Sequence, residues 1–136
     1  MMVRPLRRAA WLIGSMLLGA TVAALASEGE FPFDHALMLE AAPMRGSKRI
    51  PILEIAEDGA ASIQLWCASA RGQATITADA ITIVPGAVES AQCTADRQNR
   101  DESLLAALAQ VAGWRRQGDV IELLGATTLR FHLMTN

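Results

Sequence analysis

The apolar positions of this 136-residue chain recur in two rhythms. After the polar break Arg45-Gly46-Ser47, residues Ile50, Ile52, Leu53 and Ile55 form an apolar strand that Glu57-Asp58-Gly59 ends. Asp58-Gly59 between apolar runs predicts a hairpin, because glycine accepts the positive φ of such turns. The next run, "ASIQLWCAS" at 61–69, alternates with period 2. That rhythm puts Ile63, Leu65 and Cys67 on the core face, and Gln64 and Trp66 on a second, partly covered face. "QATITA" and "AITIVPG" then predict two short strands around Asp79, with Ile76, Ile81 and Ile83 pointing inward. Pro85-Gly86 is expected to end this ladder, since proline brings no backbone donor.

From residue 95 to 112 the rhythm becomes helical. Leu104, Leu105, Leu108 and Val111 fall on one stripe, and Arg97, Arg100 and Glu102 fall off it. Thr94 suits the N-cap, Asp96 suits the positive end of the helix dipole, and Gly113 is the expected C′ residue. The tail returns to strands: 114–116, a turn at Gln117-Gly118-Asp119, 120–124, a turn at Gly125, and 128–133 with Leu129, Phe131 and Leu133 on one face. Strands, one helix, then strands predict an α+β domain: a curved antiparallel sheet or partial barrel covered by one α-helix.

The first 26 residues change how the rest is read. Arg4, Arg7 and Arg8 precede an uncharged apolar run at 11–22, and Ala24-Leu25-Ala26 follows. This is the layout of a signal peptide cut before Ser27, which predicts export to the periplasm; an uncleaved anchor is the alternative. The run is short for a membrane span and meets Glu28 and Glu30 at once, so no span is expected after cleavage. Residues 27–136 then form one domain, with nine basic against fourteen acidic side chains, a net charge of about −5. No basic block stands out in the sequence, so nucleic acid is not expected as a partner. Cys67 and Cys93 allow one pairing, and in an exported chain they predict a disulfide. Closing about 26 residues contributes roughly 3 to 3.5 kcal/mol by the loop-entropy argument. Two buried free thiols are the alternative.

The remaining polar residues do not assemble a reactive set. His35 and His132 stand apart, His132 on the outward side of the last strand, and adjacent strand residues Asp34 and His35 face opposite ways. Asp101-Glu102 diverge by about 100 degrees on a helix and read as a solvated face. Arg115-Arg116 reads as a solvated hairpin end, and the lack of tyrosine leaves little for a carbohydrate-stacking platform. No catalytic residue, metal ligand or cofactor-binding residue is nominated.

The stretch "QCTADRQNRDESLLAALAQVAGWRRQGDVIELLGATTLRF" resembles the META domain of the HslJ-like heat-shock protein family. The likeness rests on Cys93, Asp101-Glu102, the leucines from Leu104 to Leu108, Trp114, Gly118-Asp119, Leu123, Leu129 and Phe131, and spans about residues 60 to 133. Upstream, the family's Gly-Cys-Asn segment is replaced here by Leu65-Trp66-Cys67-Ala68, which keeps the cysteine and loses its neighbours. The resemblance implies a compact exported domain tied to stress tolerance or envelope integrity, with no catalytic residues to transfer. The expectation is a monomeric, non-enzymatic periplasmic domain that contacts an envelope protein. A small apolar-ligand carrier, or a hydrolase inhibitor presenting 86–92 as a loop, are the competing expectations.

Overall fold

The computed structural model describes residue 19, residues 29–89 and residues 92–135; apart from residue 19, the predicted signal peptide lies outside the described residues. Eight strands and one helix follow in the order β1 (Leu37–Leu39), β2 (Ile52–Ile55), β3 (Ala60–Gln64), β4 (Ser69–Ile76), β5 (Ile81–Glu89), α1 (Ala95–Ala109), β6 (Gly113–Gln117), β7 (Val120–Leu124) and β8 (Leu129–Leu133). All pairings are antiparallel, in the sheet order β5-β4-β3-β2-β1-β8-β7-β6. Two meanders, β2 to β5 and β6 to β8, are thus joined through the short strand β1.

Strand twist curls this sheet into a half-barrel until its two end strands touch at one corner. There Ala80 bridges Gly113, the Ile81 N–H donates to the Ala112 carbonyl at 3.1 Å, and the Trp114 N–H donates to the Asp79 carbonyl at 3.0 Å. The helix α1 runs from β5 to β6 and covers the opening where they part. Leu37, Leu53, Ile63, Ile83, Ile121 and Phe131 fill the inner side, with Leu104 and Leu108 of α1 packed into the same cluster. Outward positions Glu54, Ser62 and Arg130 are exposed. The expected α+β curved sheet with one helix is therefore what the chain forms.

Four local expectations need correction. The strand expected over 61–69 stops at Gln64, and residues 65–68 reverse the chain, with the Leu65 N–H donating to the Ala68 carbonyl at 2.9 Å. Cys67 is consequently half-buried in a turn, and Trp66 is buried instead of lying on a second face. The strand β5 continues through Pro85-Gly86 to Glu89, which proline permits because β5 is the last strand and owes no donor to a further neighbour. A register shift at Ala70/Gly72 of β4 absorbs the irregularity. The helix ends at Ala109 with Gln110 as its C-cap, earlier than expected, because the Ala112 N–H is taken by the Leu124 carbonyl of β7 at 2.9 Å. Gly113 opens β6 and is not a C′ residue; among the described residues the positive-φ glycines are 29, 46, 59 and 118.

Candidate functional site

The turn at 65–68 has no glycine, proline, asparagine or aspartate to shape it, and three of its residues, Leu65, Trp66 and Ala68, are buried apolar ones. Its backbone donors and acceptors must therefore be met from elsewhere in the chain. Asp101 of α1 does this on one side: it accepts from the Cys67 N–H at 3.2 Å to each oxygen, and from the Ala68 N–H at 2.8 Å. Arg49 does it on the other side. Its guanidinium donates to the Cys67 carbonyl at 2.9 Å, the Ala68 carbonyl at 3.0 Å and the Ser69 hydroxyl at 3.3 Å.

Two further ties converge on the same turn. Cys67 and Cys93 form the expected disulfide, with Cα atoms 5.9 Å apart, joining the turn to the residue before the helix N-cap. Thr94 is that N-cap, its side chain accepting from the Arg97 N–H at 3.4 Å. The Trp66 ring is buried, with the Arg100 guanidinium 5.7 Å from its centroid. A turn weak in local propensity is thus fixed by a carboxylate, a guanidinium, a disulfide and a cation–π contact.

Asp101 corrects the sequence reading. Expected in a solvated face, it is 4% exposed, while its neighbour Glu102 is exposed as expected. The signal was present in the spacing, since Asp101, Leu104 and Leu108 lie at i, i+3 and i+7 and share the buried stripe. Arg49 left no comparable signal, because nothing in a sequence pairs it with carbonyls 18 and 19 positions on.

The buried stripe divides the helix surface into two flanks. On one, Gln98, Glu102 and Leu105 line an open groove of about 490 Å³ with Leu65, Ala68, Val88 and Cys93. Arg100 lies on the other, and Arg97 continues the line of the stripe into the first turn, four positions before Asp101. The segment 86–92 is not the free loop expected of an inhibitor, since β5 occupies it as far as Glu89.

The other singled-out residues lie apart from this site. The pair Asp34-His35 sits in a turn, not a strand: Asp34 has φ 60°, and His35 Nδ1 is 2.7 Å from the Phe33 carbonyl oxygen. His132 lies on the outer face of β8, with Nε2 3.2 Å from Glu40, which also pairs with Arg130 at 3.0 Å. Arg115 pairs with Glu122 at 3.0 Å, and Arg116 donates to the Gly118 and Glu30 carbonyls at 2.7 and 2.9 Å, so neither is a purely solvated side chain. Among the described residues, no group of three or more His, Cys, Asp or Glu side chains is placed to hold a metal ion.

Comparison with known proteins bears on this fold. The sequence model of the META domain matches residues 24–136. One NMR structure, of a protein with no further description, superposes with a TM-score of 0.58 at 20% identity, over 73% of this chain and 88% of that one. The NMR structure of a protein from Burkholderia xenovorans gives a TM-score of 0.60 at 17% identity, over 83% and 98%. At such identities the likeness is one of fold. Among curated proteins none matches.

Proposed function

We propose that this chain, which belongs to the META domain family, is an exported, non-enzymatic domain that works by protein contact in an envelope or stress-related role. The observation that carries the reading is on β5. This terminal strand holds Val84 and Val88 61% and 48% exposed, and Val88 forms one wall of the groove beside α1. Large apolar side chains on an end strand are a liability unless something covers them, and a partner does so at no cost to the fold.

Export is supported by Arg4, Arg7 and Arg8 ahead of the apolar run, and by the disulfide, a bond at home in oxidising compartments. The carrier reading draws on the same groove. That groove lies outside the half-barrel, whose interior is filled by core side chains, and its mixture of amide, carboxylate and apolar groups suits a peptide better than a lipid.

The test is in-cell photocrosslinking from a reactive residue installed at Val88, with Glu54 on the outer sheet face as the control site. A discrete protein adduct from position 88 and none from position 54 is the expected result. Equal labelling at both, or none at either, removes the reading.

A further inference from the structure

The fold gathers cations that the sequence keeps apart. Arg45, Lys48 and Arg49 come from the segment before β2, and Arg97 and Arg100 from the first turns of α1. The Arg97 guanidinium donates to the Arg45 carbonyl at 3.4 Å, Arg49 is bonded to the turn at 65–68, and Arg100 lies over Trp66 in that turn. These are five of the nine basic residues in 27–136, on two segments that the Arg97–Arg45 bond and the turn at 65–68 bring together in a domain in which acidic residues prevail.

None of the five is ion-paired among the described residues, where the ion pairs engage Arg71, Arg115, Arg130 and His132. Arg49, Arg97 and Arg100 are held by carbonyl oxygens, the Ser69 hydroxyl and an indole face, which position a cation without cancelling its charge. Asp101 turns inward and is occupied by the two turn amides, with Arg49 across the turn from it. Over the two segments 45–49 and 94–100, Arg45, Lys48, Arg97 and Arg100 stand against one carboxylate, Asp96, a net charge of about +3 with Arg49 left out. The positive end of the helix dipole adds to it.

We infer that this flank of α1 docks a carboxylate-rich protein segment; the inference rests on the protein-contact reading above. Charge complementarity selects an anionic partner, and the surroundings of the cations select protein over bilayer. A face that binds lipid couples cations to exposed apolar side chains that enter the acyl region. Among the described residues the exposed large hydrophobics are Val84, Val88 and Met134, and the flank's own aromatic, Trp66, is buried beneath Arg100. The disulfide sits at the seam between the two groups of cations, so it keeps their spacing set before the partner arrives.

The full chain, expressed for export and isolated in its oxidised form, is titrated with an octaglutamate peptide and followed by amide chemical shifts and by fluorescence anisotropy. Octalysine and phosphatidylglycerol vesicles serve as comparison probes. Shifts confined to residues 45–49 and 94–101 are expected, with affinity falling about tenfold as salt rises from about 20 to about 200 mM. The triple variant Arg45→Glu, Lys48→Glu, Arg97→Glu is expected to lose binding with its melting temperature unchanged. Should it fail to fold, the double variant Arg45→Ala, Lys48→Ala is expected to weaken binding several-fold. Absence of shifts, shifts elsewhere, insensitivity to these substitutions, or binding to vesicles in preference to octaglutamate would each overturn the inference. A surviving adduct from position 88 together with no octaglutamate binding sinks this inference alone; octaglutamate binding with no adduct sinks the groove reading alone.

Discussion

Asp101 is the residue on which the turn at 65–68 depends. Two backbone N–H groups donate to it, that of Ala68 buried and that of half-buried Cys67, beside the buried side chains of Leu65 and Trp66. Leaving a buried donor unmet costs more than the bond itself contributes. Asp101→Ala should therefore destabilise the domain by about 2 to 4 kcal/mol in urea unfolding. Glu102→Ala, one position along and exposed, should stay within about 0.5 kcal/mol. Equal and small effects would mean that the disulfide and Arg49 hold the turn unaided. The spacing of Asp101 with Leu104 and Leu108 carried a sign of its burial that the reading of Asp101-Glu102 as a solvated face passed over. What the spacing leaves out is the destination: a carboxylate on an apolar stripe needs donors, and those lie more than thirty positions upstream in a stretch that reads as strand.

At the scale of elements, legibility follows how locally each element is determined. The helix, its Thr94 cap and the hairpin between β6 and β7 were readable because stripe, cap and turn all lie within a few residues of one another. The course of β5 past Pro85 and the early end of α1 were not. Both depend on which neighbour supplies or takes a backbone group, and that is a property of the assembled sheet. Core packing of the helix gives one test: Leu108→Ala should cost about 2 to 5 kcal/mol, and a change below about 1 kcal/mol would mean the stripe is not core. The hairpins give another. Gly59 and Gly118 both have positive φ, at 90° and 58°. A Cβ at Gly118 meets open space, whereas at Gly59 it collides with the Ala74 carbonyl oxygen. Gly118→Ala should cost about 1 kcal/mol, the conformational term alone, and Gly59→Ala about 3 kcal/mol or more, as the β4 backbone must move. Parallel denaturant titrations of the two variants decide it, and equal losses would show that the β3–β4 register gives way without resistance.

For the whole molecule the question is what holds a half-barrel whose end strands meet at one corner. The Ala80–Gly113 bridge closes one end of the seam, and α1 with its disulfide closes the other. A sequence names the two cysteines; it does not show that their bond spans the gap between the β3–β4 turn and the helix entry, because that gap exists only once the sheet has curled. The bond closes 26 positions of chain, including all of β4 and β5, so loop entropy assigns it about 3 kcal/mol, or roughly 10 to 20 °C in melting temperature for a domain of this size. The Cys67→Ala, Cys93→Ala double variant isolates that contribution without reductant. It should melt lower by that margin yet still unfold cooperatively, because Asp101 and Arg49 grip the turn through bonds that do not need the sulfurs. Coincident melting curves for the oxidised protein and the double variant would remove the staple from the account. A broad, non-cooperative transition in the double variant would instead show that the disulfide, and not the Asp101–Arg49 clamp, joins the helix to the sheet.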